Sequence, residues 1–178
     1  TGARDAALVN GVAAHVFELD DSGGCDHTGA LVLPALLAAL GGMTVPVSGN
    51  DFLSAWLAGY DVGRRVLDAS GGYGAHNGAG WHSTGTCGTL AAAAAVARLR
   101  GYDAAMTRQA LTLATSFSSG LWAFIHDGSQ AKKIHAGRAA EGGLLAADLV
   151  RAGISGPSLV FDEVWGGFFQ SFTRTADP

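Results

Sequence analysis

Residues 51–67, DFLSAWLAGYDVGRRVL, decide the fold class because their apolar side chains recur at helical spacing. The residues that fall on nearly one helical face are Phe52, Leu53, Trp56, Leu57, Tyr60 and Leu67. This spacing predicts an amphipathic α-helix. Ser48 or Asn50 is suited to cap its first turn, because a short polar side chain at this position can accept a hydrogen bond from a free backbone N–H.

Outward from this stretch, the same periodicity recurs along the chain. The predicted helices cover residues 3–18, 30–40, 51–67, 83–99, 104–117 and 136–150. Small residues recur at 91–95 and 139–143, which is typical of helices that approach one another closely. No stretch shows the sustained alternation that a half-buried strand needs. The sequence therefore predicts an all-α helical bundle, with residues 1–178 as a single domain.

Composition narrows the class of protein. Of the 178 residues, 48% are hydrophobic and 15% are charged, so the chain is too apolar for a disordered segment. The net charge is −4 with histidine neutral, and no Lys/Arg cluster exceeds two or three residues. A nucleic-acid-binding role is excluded, because phosphate contacts need a basic surface. The few charges and many small residues indicate that a second domain or another subunit covers part of the surface.

Cysteine usage and the apolar segments indicate a cytoplasmic protein. Cys25 and Cys87 are too few for a disulfide framework and fit no zinc-ligand spacing, so reduced thiols are expected. The uncharged segment 28–50 has a continuous apolar part, 30–40, that is too short to span a membrane. No signal peptide is recognisable. The chain begins at Thr1 rather than Met, which indicates a processed, trimmed or partial chain.

The C-terminal residues 162–178 are rich in aromatic side chains. These side chains are Trp165, Phe168, Phe169 and Phe172. Such an apolar C-terminal segment is expected to pack against further protein chain or a partner that this chain lacks.

The loop predicted at residues 18–29, together with His15, concentrates acidic side chains and histidine. The residues of interest are His15, Glu18, Asp20, Asp21, Asp26 and His27. Histidine and carboxylates are metal ligands, although this spacing matches no closed metal motif. The same residues suit acid–base catalysis, in which carboxylates tune a neighbouring imidazole. A solvated loop at a helix end is the third interpretation, and residue types alone do not separate the three.

The loop predicted at residues 69–88 is rich in glycine, so backbone N–H groups are able to approach an anion. Ser83 or Thr84 is predicted to cap the helix that follows. His82 lies at that helix start, where the dipole disfavours its charged form and leaves a neutral imidazole able to act as a base. A dinucleotide fingerprint is excluded, because a helix rather than a strand precedes the glycines. A flexible loop with a structural histidine remains open.

The loop predicted at residues 126–137 contains Lys132 and Lys133 just before a helix start. A lysine at a helix N-terminus opposes the dipole, which is a cost unless an anionic ligand offsets it. A carboxylate-binding lysine is therefore predicted, with two solvated surface lysines as the alternative. If the three loops come together, they make a pocket suited to proton abstraction next to a carboxylate.

Several of these segments resemble the MmgE/PrpD family, which includes 2-methylcitrate dehydratase and cis-aconitate decarboxylase. Residues 6–15 (AALVNGVAAH), followed by ELDDS and His27, resemble the family's opening segment of Asn-Gly, His and clustered acidic residues. Residues 80–88 (GWHSTGTCG) and 132–140 (KKIHAGRAA) resemble its next two motifs, and 156–157 with 166–168 resemble the end of its helical domain. Order and spacing agree along nearly the whole chain.

The resemblance implies an all-helical domain that makes a homodimer contact and binds a small di- or tricarboxylate without a metal or an organic cofactor. By position, the family's catalytic residues correspond to Asp20, His27, His82 and Lys132. The substrate-binding residues correspond to Glu18, Asp21, Ser22, Lys132 and His135. Lys132 would bind a substrate carboxylate, while His82 and the loop with Asp20 and His27 would position the substrate or move protons.

The chain departs from the family's pattern at several positions. Glu18 stands where many members have Asp, Ser22 stands in place of Thr, and Thr rather than Pro follows His27 in a shorter loop. Changes of a single methylene shift specificity by ~1–3 kcal/mol. The family also continues into a second α/β domain that contributes another His and a Tyr, so the chain is expected to be a fragment of a larger two-domain enzyme.

Four functions are consistent with these features. The leading hypothesis is a lyase, with dehydration favoured over decarboxylation, that moves a proton next to a carboxylate. An epimerase of an amino or imino diacid needs the same proton abstraction. A catalytically incomplete dimerisation module is the non-enzymatic alternative. A metal hydrolase built on the segment from His15 to His27 is the fourth.

Overall fold

The periodic segments form helices in the computed structural model of the protein, which describes residues 2–173. These residues contain no β-strand, only an isolated bridge between Trp81 and Leu121, so the predicted all-α class is confirmed. The helices are α1 (Ala3–His15), α2 (Gly29–Leu40), α3 (Gly49–Ala69), α4 (Gly72–Gly78), α5 (Ser83–Leu99), α6 (Ala104–Ala114), α7 (Ala131–Arg151) and α8 (Phe168–Phe172). Two 3₁₀ turns lie at Thr115–Phe117 and Trp122–His126.

Helix α5 is the centre of the bundle. Every residue of α5 except Arg98 is buried, and the helix packs most extensively against α3 and α7. Helix α1 packs in turn on α7 and α2. Because the N-terminal ends of α5 and α7 lie at the same end of the bundle, the polar residues beside them come together there.

Small residues allow these close helix contacts, as predicted. A Cβ added to Gly143 of α7 would lie 2.5 Å from the Ala92 Cβ of α5, and one added to Gly11 of α1 would lie 2.7 Å from the Gly137 Cα. Both distances are too short for non-bonded atoms. At these two crossings the backbones therefore approach as closely as only glycine permits.

One helix boundary confirms the capping argument and one corrects it. Ser48 caps α3, since its Oγ accepts a hydrogen bond from the Asp51 N–H at 3.1 Å. The predicted cap of α5 by Ser83 or Thr84 is wrong. The residue before α5 is His82, and the first N–H of the helix, that of Ser83, donates instead to the Asn77 side chain.

Two helical segments differ from the predicted loops. Helix α4 lies within the predicted 69–88 loop, in the sequence GYGAHNG, whose glycines disfavour a helix in isolation. Helix α7 begins at Ala131 rather than at residue 136, so Lys132 and Lys133 lie in its first turn. The residue before α7, Gln130, makes no side-chain capping hydrogen bond, and so no sequence signal marks this helix start.

The aromatic tail corrects another expectation. Phe168 is 2% exposed, and Phe169 and Phe172 pack against the same core, so these side chains dock on the chain's own bundle. Trp165 alone of the four is exposed, at 99%. Residues 174–178 of the predicted tail lie outside the described residues.

The apolar segment after residue 28 forms the buried helix α2, as predicted. Among residues 2–173, no helix combines the length and the apolar character that crossing a membrane requires.

Candidate active site

The three polar segments predicted from the sequence meet at one end of the bundle. Backbone hydrogen bonds join the segment before α5 to the segment before the Trp122 turn. The His82 N–H donates to the Gly120 carbonyl at 3.1 Å, and the Trp122 N–H donates to the Gly80 carbonyl at 3.0 Å. Lys132 lies beside them in the first turn of α7. The segment that follows α1 closes the same end of the bundle.

Asp20 lies between two imidazoles. Its Oδ2 contacts His15 Nδ1 at 2.9 Å, and its Oδ1 lies 3.2 Å from His27 Nδ1. The second contact does not have the geometry of a hydrogen bond. Burial lowers the pKa of His15, although the hydrogen bond to Asp20 opposes this shift. A carboxylate held between two imidazoles suits an acid–base group, because it fixes their orientation and stabilises a charge on either ring.

The loop after α1 contains three non-glycine residues with a left-handed backbone: Glu18 (φ 54°), Asp26 (φ 76°) and His27 (φ 52°). Such residues are uncommon, and they cluster at functional sites. Asp21 holds this loop in place, since its carboxylate accepts hydrogen bonds from the Tyr60 hydroxyl at 2.7 Å and from the Gly29 N–H at 2.9 Å. The backbone strain is therefore supported by contacts to α2 and α3.

His82 and His135 share one hydrogen bond, with their Nδ1 atoms 2.9 Å apart. His82 Nε2 lies 3.2 Å from the Thr84 hydroxyl, which donates to the Asp26 carbonyl at 3.2 Å. A carbonyl only accepts, so the Thr84 oxygen accepts from the Nε2–H of His82. His82 Nδ1 is then the acceptor and His135 Nδ1 the donor. This assignment leaves the Nε2 of His135 as a free lone pair.

Both of these imidazoles are neutral at physiological pH. Burial, together with repulsion from His135 in its protonated form and from Lys132, lowers the pKa of His82 to about 2. Burial, with His15 and Lys132 nearby, also lowers the pKa of His135. The neutral imidazole predicted for His82 is thus what the geometry supports, and the cause is chiefly desolvation rather than the helix dipole.

Asn77 of α4 connects the site to its supporting framework. Its Oδ1 accepts hydrogen bonds from the Ser83 N–H at 3.1 Å and from the Trp122 indole N–H at 2.7 Å. Its Nδ2 donates to the Tyr73 carbonyl at 3.1 Å and to the Ser83 hydroxyl at 3.2 Å. Trp122 packs edge-on against His82, with ring centroids 5.1 Å apart. Asn77 therefore fixes the start of α5 and the indole beside His82.

Lys132 and Lys133 converge on one carboxylate. Lys132 Nζ donates to Glu18 Oε2 at 2.6 Å, and Lys133 donates to the other oxygen of the same carboxylate. These two hydrogen bonds lower the pKa of Glu18 to about 2. Lys132 also lies over the Trp122 ring, 5.8 Å from its centroid. Although adjacent residues on a helix face different directions, both lysines of this first turn reach Glu18.

Two neighbouring cavities open at this place. One, of about 350 Å³, is lined by Glu18, Trp122, Phe124, Lys132 and Lys133 among others. The second, of about 330 Å³, is lined by His135, Phe124 and Asp127 among others. Phe124 and Ser129 line both. A small carboxylate would meet cationic side chains on one wall and aromatic side chains on the other.

Most of the residues predicted for the site come together. Ring contacts connect Lys132 through Trp122 to His82, and His82 to His27, whose ring centroids are 6.4 Å apart. Asp21 instead uses its carboxylate for Tyr60 and Gly29, and Ser22 is an exposed loop residue. The geometry thus gives Asp21 a supporting position.

Asn77, Trp122 and Phe124 were not predicted, and they shape the site as much as the charged residues do. Each lies in a segment that the sequence predicts to be a loop or for which it indicates no role in the site. Their positions depend on contacts between residues far apart in sequence, such as Trp122 with Asn77. The apolar run LWAFI at residues 121–125, which lies outside every predicted helix, was the available signal.

The group His15, Asp20 and His27 has the donor types of a divalent-metal site. One nitrogen or oxygen from each residue lies within 4.8 Å of the others. In the present arrangement Asp20 already contacts both imidazoles, and within residues 2–173 no other group of three such side chains meets this distance.

Comparison with known proteins identifies the family of this chain. The MmgE/PrpD N-terminal domain matches residues 1–178. The chain belongs to the MmgE/PrpD family. This assignment confirms the resemblance drawn from the motifs around His27, His82 and Lys132.

The curated relatives of this family member include cis-aconitate decarboxylases. A cis-aconitate decarboxylase-like protein, oryM, of Aspergillus oryzae is 39% identical over 97% of this chain and 37% of its own length. Cis-aconitate decarboxylase of Aspergillus terreus is 32% identical over 95% of this chain and 35% of its own. The Homo sapiens enzyme is 32% identical over 97% and 36%. The chain thus spans little more than a third of each of these relatives.

Proposed function

We propose that this chain is the helical domain of a lyase that removes CO₂ from a small tricarboxylate such as cis-aconitate. The observation that carries the proposal is the placement of two lysines beside neutral, buried histidines in one site. The lysines suit carboxylate binding, and the histidines suit proton transfer. The names of the relatives favour decarboxylation over the dehydration first expected.

Decarboxylation breaks the bond between a carboxylate carbon and the carbon skeleton. CO₂ leaves, and the electron pair that remains on carbon takes a proton. The cavity beside Trp122 and Phe124 favours this step, because an apolar wall stabilises neutral CO₂ relative to the carboxylate. Lys132 and Lys133 would hold a carboxylate that stays on the product.

The proton would come through the histidines. In the empty site His82 and His135 are neutral, and their pKa values are lowered by burial and by Lys132. A bound tricarboxylate brings negative charge to the same place, which favours the protonated imidazole. His27, which contacts Asp20, is the further candidate donor. Substrate binding would thus supply the acid that the reaction needs.

The experiment is an NMR assay in D₂O of the natural full-length protein that contains this chain, with cis-aconitate and with 2-methylcitrate. The proposal predicts CO₂ release from cis-aconitate and one deuterium on the product carbon. Water loss from 2-methylcitrate alone would make the enzyme a hydro-lyase. Deuterium exchange without CO₂ loss would indicate an epimerase. No reaction with either compound would leave the catalytically incomplete module as the better description.

We also propose that further chain or a second subunit completes the site. The apolar residues Phe17, Leu19 and Ile125 at its edge are 81%, 91% and 60% exposed, which is more than a closed apolar site allows. A homodimer, expected from the family resemblance, would be seen as twice the chain mass by sedimentation equilibrium. A monomer at micromolar concentration would contradict the dimer.

A further inference from the structure

Glu18 occupies the position where a carboxylate ligand would bind. Both of its oxygens accept hydrogen bonds from lysines, one from Lys132 and one from Lys133. This two-point contact is the geometry by which a pair of cations recognises a ligand carboxylate. Glu18 also lines the cavity of about 350 Å³ beside these lysines. An external carboxylate and Glu18 therefore compete for the same donors.

The segment that carries Glu18 is held by few other contacts. The backbone of Glu18 is left-handed, with φ 54°, and the neighbouring Phe17 and Leu19 are 81% and 91% exposed. Apart from the helical bonds that end α1, the hydrogen bonds found for segment 16–19 within the described residues are the two to the lysines and one from the Glu18 N–H to the His15 carbonyl at 3.1 Å. A segment held mainly by its own carboxylate is free to move when that carboxylate is displaced.

We propose that Glu18 is an internal competitor: it occupies the lysine pair in the empty site, and a substrate carboxylate displaces it on binding. This inference rests on the proposed function, since it takes the lysine pair as the substrate-carboxylate site. Glu18 then sets the affinity, because every ligand must first break its contacts with Lys132 and Lys133. It also keeps two adjacent cations from remaining unpaired beside a helix N-terminus.

The test measures binding of propane-1,2,3-tricarboxylate, an unreactive saturated tricarboxylate, by isothermal titration calorimetry of the full-length protein. Glu18→Gln removes the competing charge and is expected to lower the dissociation constant by about fivefold, the range expected for a partly exposed ion pair. Glu18→Asp keeps the charge, so its dissociation constant should stay within about twofold of the wild type. Glu141→Gln is the matched control, since it removes a carboxylate paired with Arg138 on the same helix.

The outcomes separate this inference from the proposed function. Tighter binding in Glu18→Gln, with no change in Glu141→Gln, supports the competition. Weaker or equal binding in Glu18→Gln overturns it and makes Glu18 a favourable substrate contact or a bystander, while the carboxylate site itself stands. Absence of binding in both wild type and Glu18→Gln overturns both. Lys132→Met should abolish binding both in the wild type and in Glu18→Gln. This loss would show that the measured ligand binds at the lysines.

Discussion

The N-terminal and C-terminal ends of α5 and α7 differ in how their charged residues interact with the helix dipole. At the C-terminal ends, Arg100 pairs with Asp148 at 2.8 Å, and Arg151 lies in the last turn of α7. Cations there are stabilised by the helix dipole. At the N-terminal ends, Lys132 and Lys133 lie in the first turn of α7, which contains no acidic residue. Two lysines in a first turn that lacks an acidic residue are unfavourable for the dipole, and this is where a site that binds anions is expected.

Among the substitutions considered, replacing Lys132 should have the largest effect on activity. Lys132→Met in the full-length protein is expected to lower kcat/KM about a hundredfold, because a charge-assisted contact to the substrate carboxylate is lost. The free energy of unfolding should change by no more than ~0.5 kcal/mol, since the lysine already opposes the dipole and its ion pair is partly exposed. Steady-state kinetics and urea unfolding measure the two quantities.

Arg151→Met is the matched control at the other end of the same helix. It should leave kcat/KM unchanged and lower the free energy of unfolding by about 0.3–0.5 kcal/mol, because a cation near a helix C-terminus is lost. If Lys132→Met unfolds the protein while its residual activity per folded molecule is normal, the division between a stabilising end and a functional end is wrong.

Replacing Asn77 should have a smaller effect, because it acts through other residues. Asn77→Ala removes the hydrogen bonds that hold the Ser83 N–H and the Trp122 indole, so kcat should fall about tenfold with little change in KM. Asn77→Asp keeps the acceptor and should recover part of kcat. Its new carboxylate should also raise the pKa of His82, which moves the pH profile of kcat upward.

Asn50→Ala is the control for this prediction, since Asn50 is an exposed residue in the first turn of α3. It should leave kcat and the pH profile unchanged. A loss of stability in Asn77→Ala without any change in kcat per folded molecule would reduce Asn77 to a structural role.

The sequence predicts helices well because their signals are local. The helix at residues 51–67 and the Ser48 cap both depend on neighbours within a few turns, and both are confirmed. Leu53 and Leu57 of the predicted apolar face are nevertheless 54% and 69% exposed, so the buried face is displaced from the predicted one. Helix α4 and the start of α7 were missed because GYGAHNG has low intrinsic helix propensity and Gln130 makes no side-chain cap. These segments are helical through packing and through contacts such as those of Asn77, which no local pattern reveals.

The site residues also divide into those that the sequence predicts and those whose contacts depend on the fold. His27, His82 and Lys132 were named from chemistry at a helix end and from family motifs, and the fold brings them to one place. The contact of Glu18 with both lysines depends on residues more than a hundred positions apart. Whether these side chains meet depends on how α1 packs on α7, which the periodicity of the sequence does not specify.

Proton uptake on binding tests the electrostatics of the functional end directly. The pKa values of His82 and His135 are lowered in the empty site, so both are neutral at pH 7. A bound tricarboxylate opposes that shift and raises the pKa of each imidazole, which favours proton uptake on binding. Calorimetry of propane-1,2,3-tricarboxylate binding in buffers of different ionisation enthalpy should show uptake of up to about one proton.

His135→Gln should reduce this uptake, while His126→Gln, at an exposed position outside the histidine pair, should not. Proton release, or an uptake that is the same in both variants, would show that other groups govern the charge of the site.

Chelation should have the smallest effect of all. His15, Asp20 and His27 offer donor atoms within 4.8 Å of one another, but Asp20 is already hydrogen-bonded to His15 and lies 3.2 Å from His27. A divalent ion would need to replace both contacts, and the acid–base role proposed for these residues needs neither metal nor cofactor. Dialysis against EDTA should therefore leave kcat/KM unchanged. If activity is lost and returns with Zn²⁺, these three residues hold a metal, and the proton chemistry assigned to His27 must be revised.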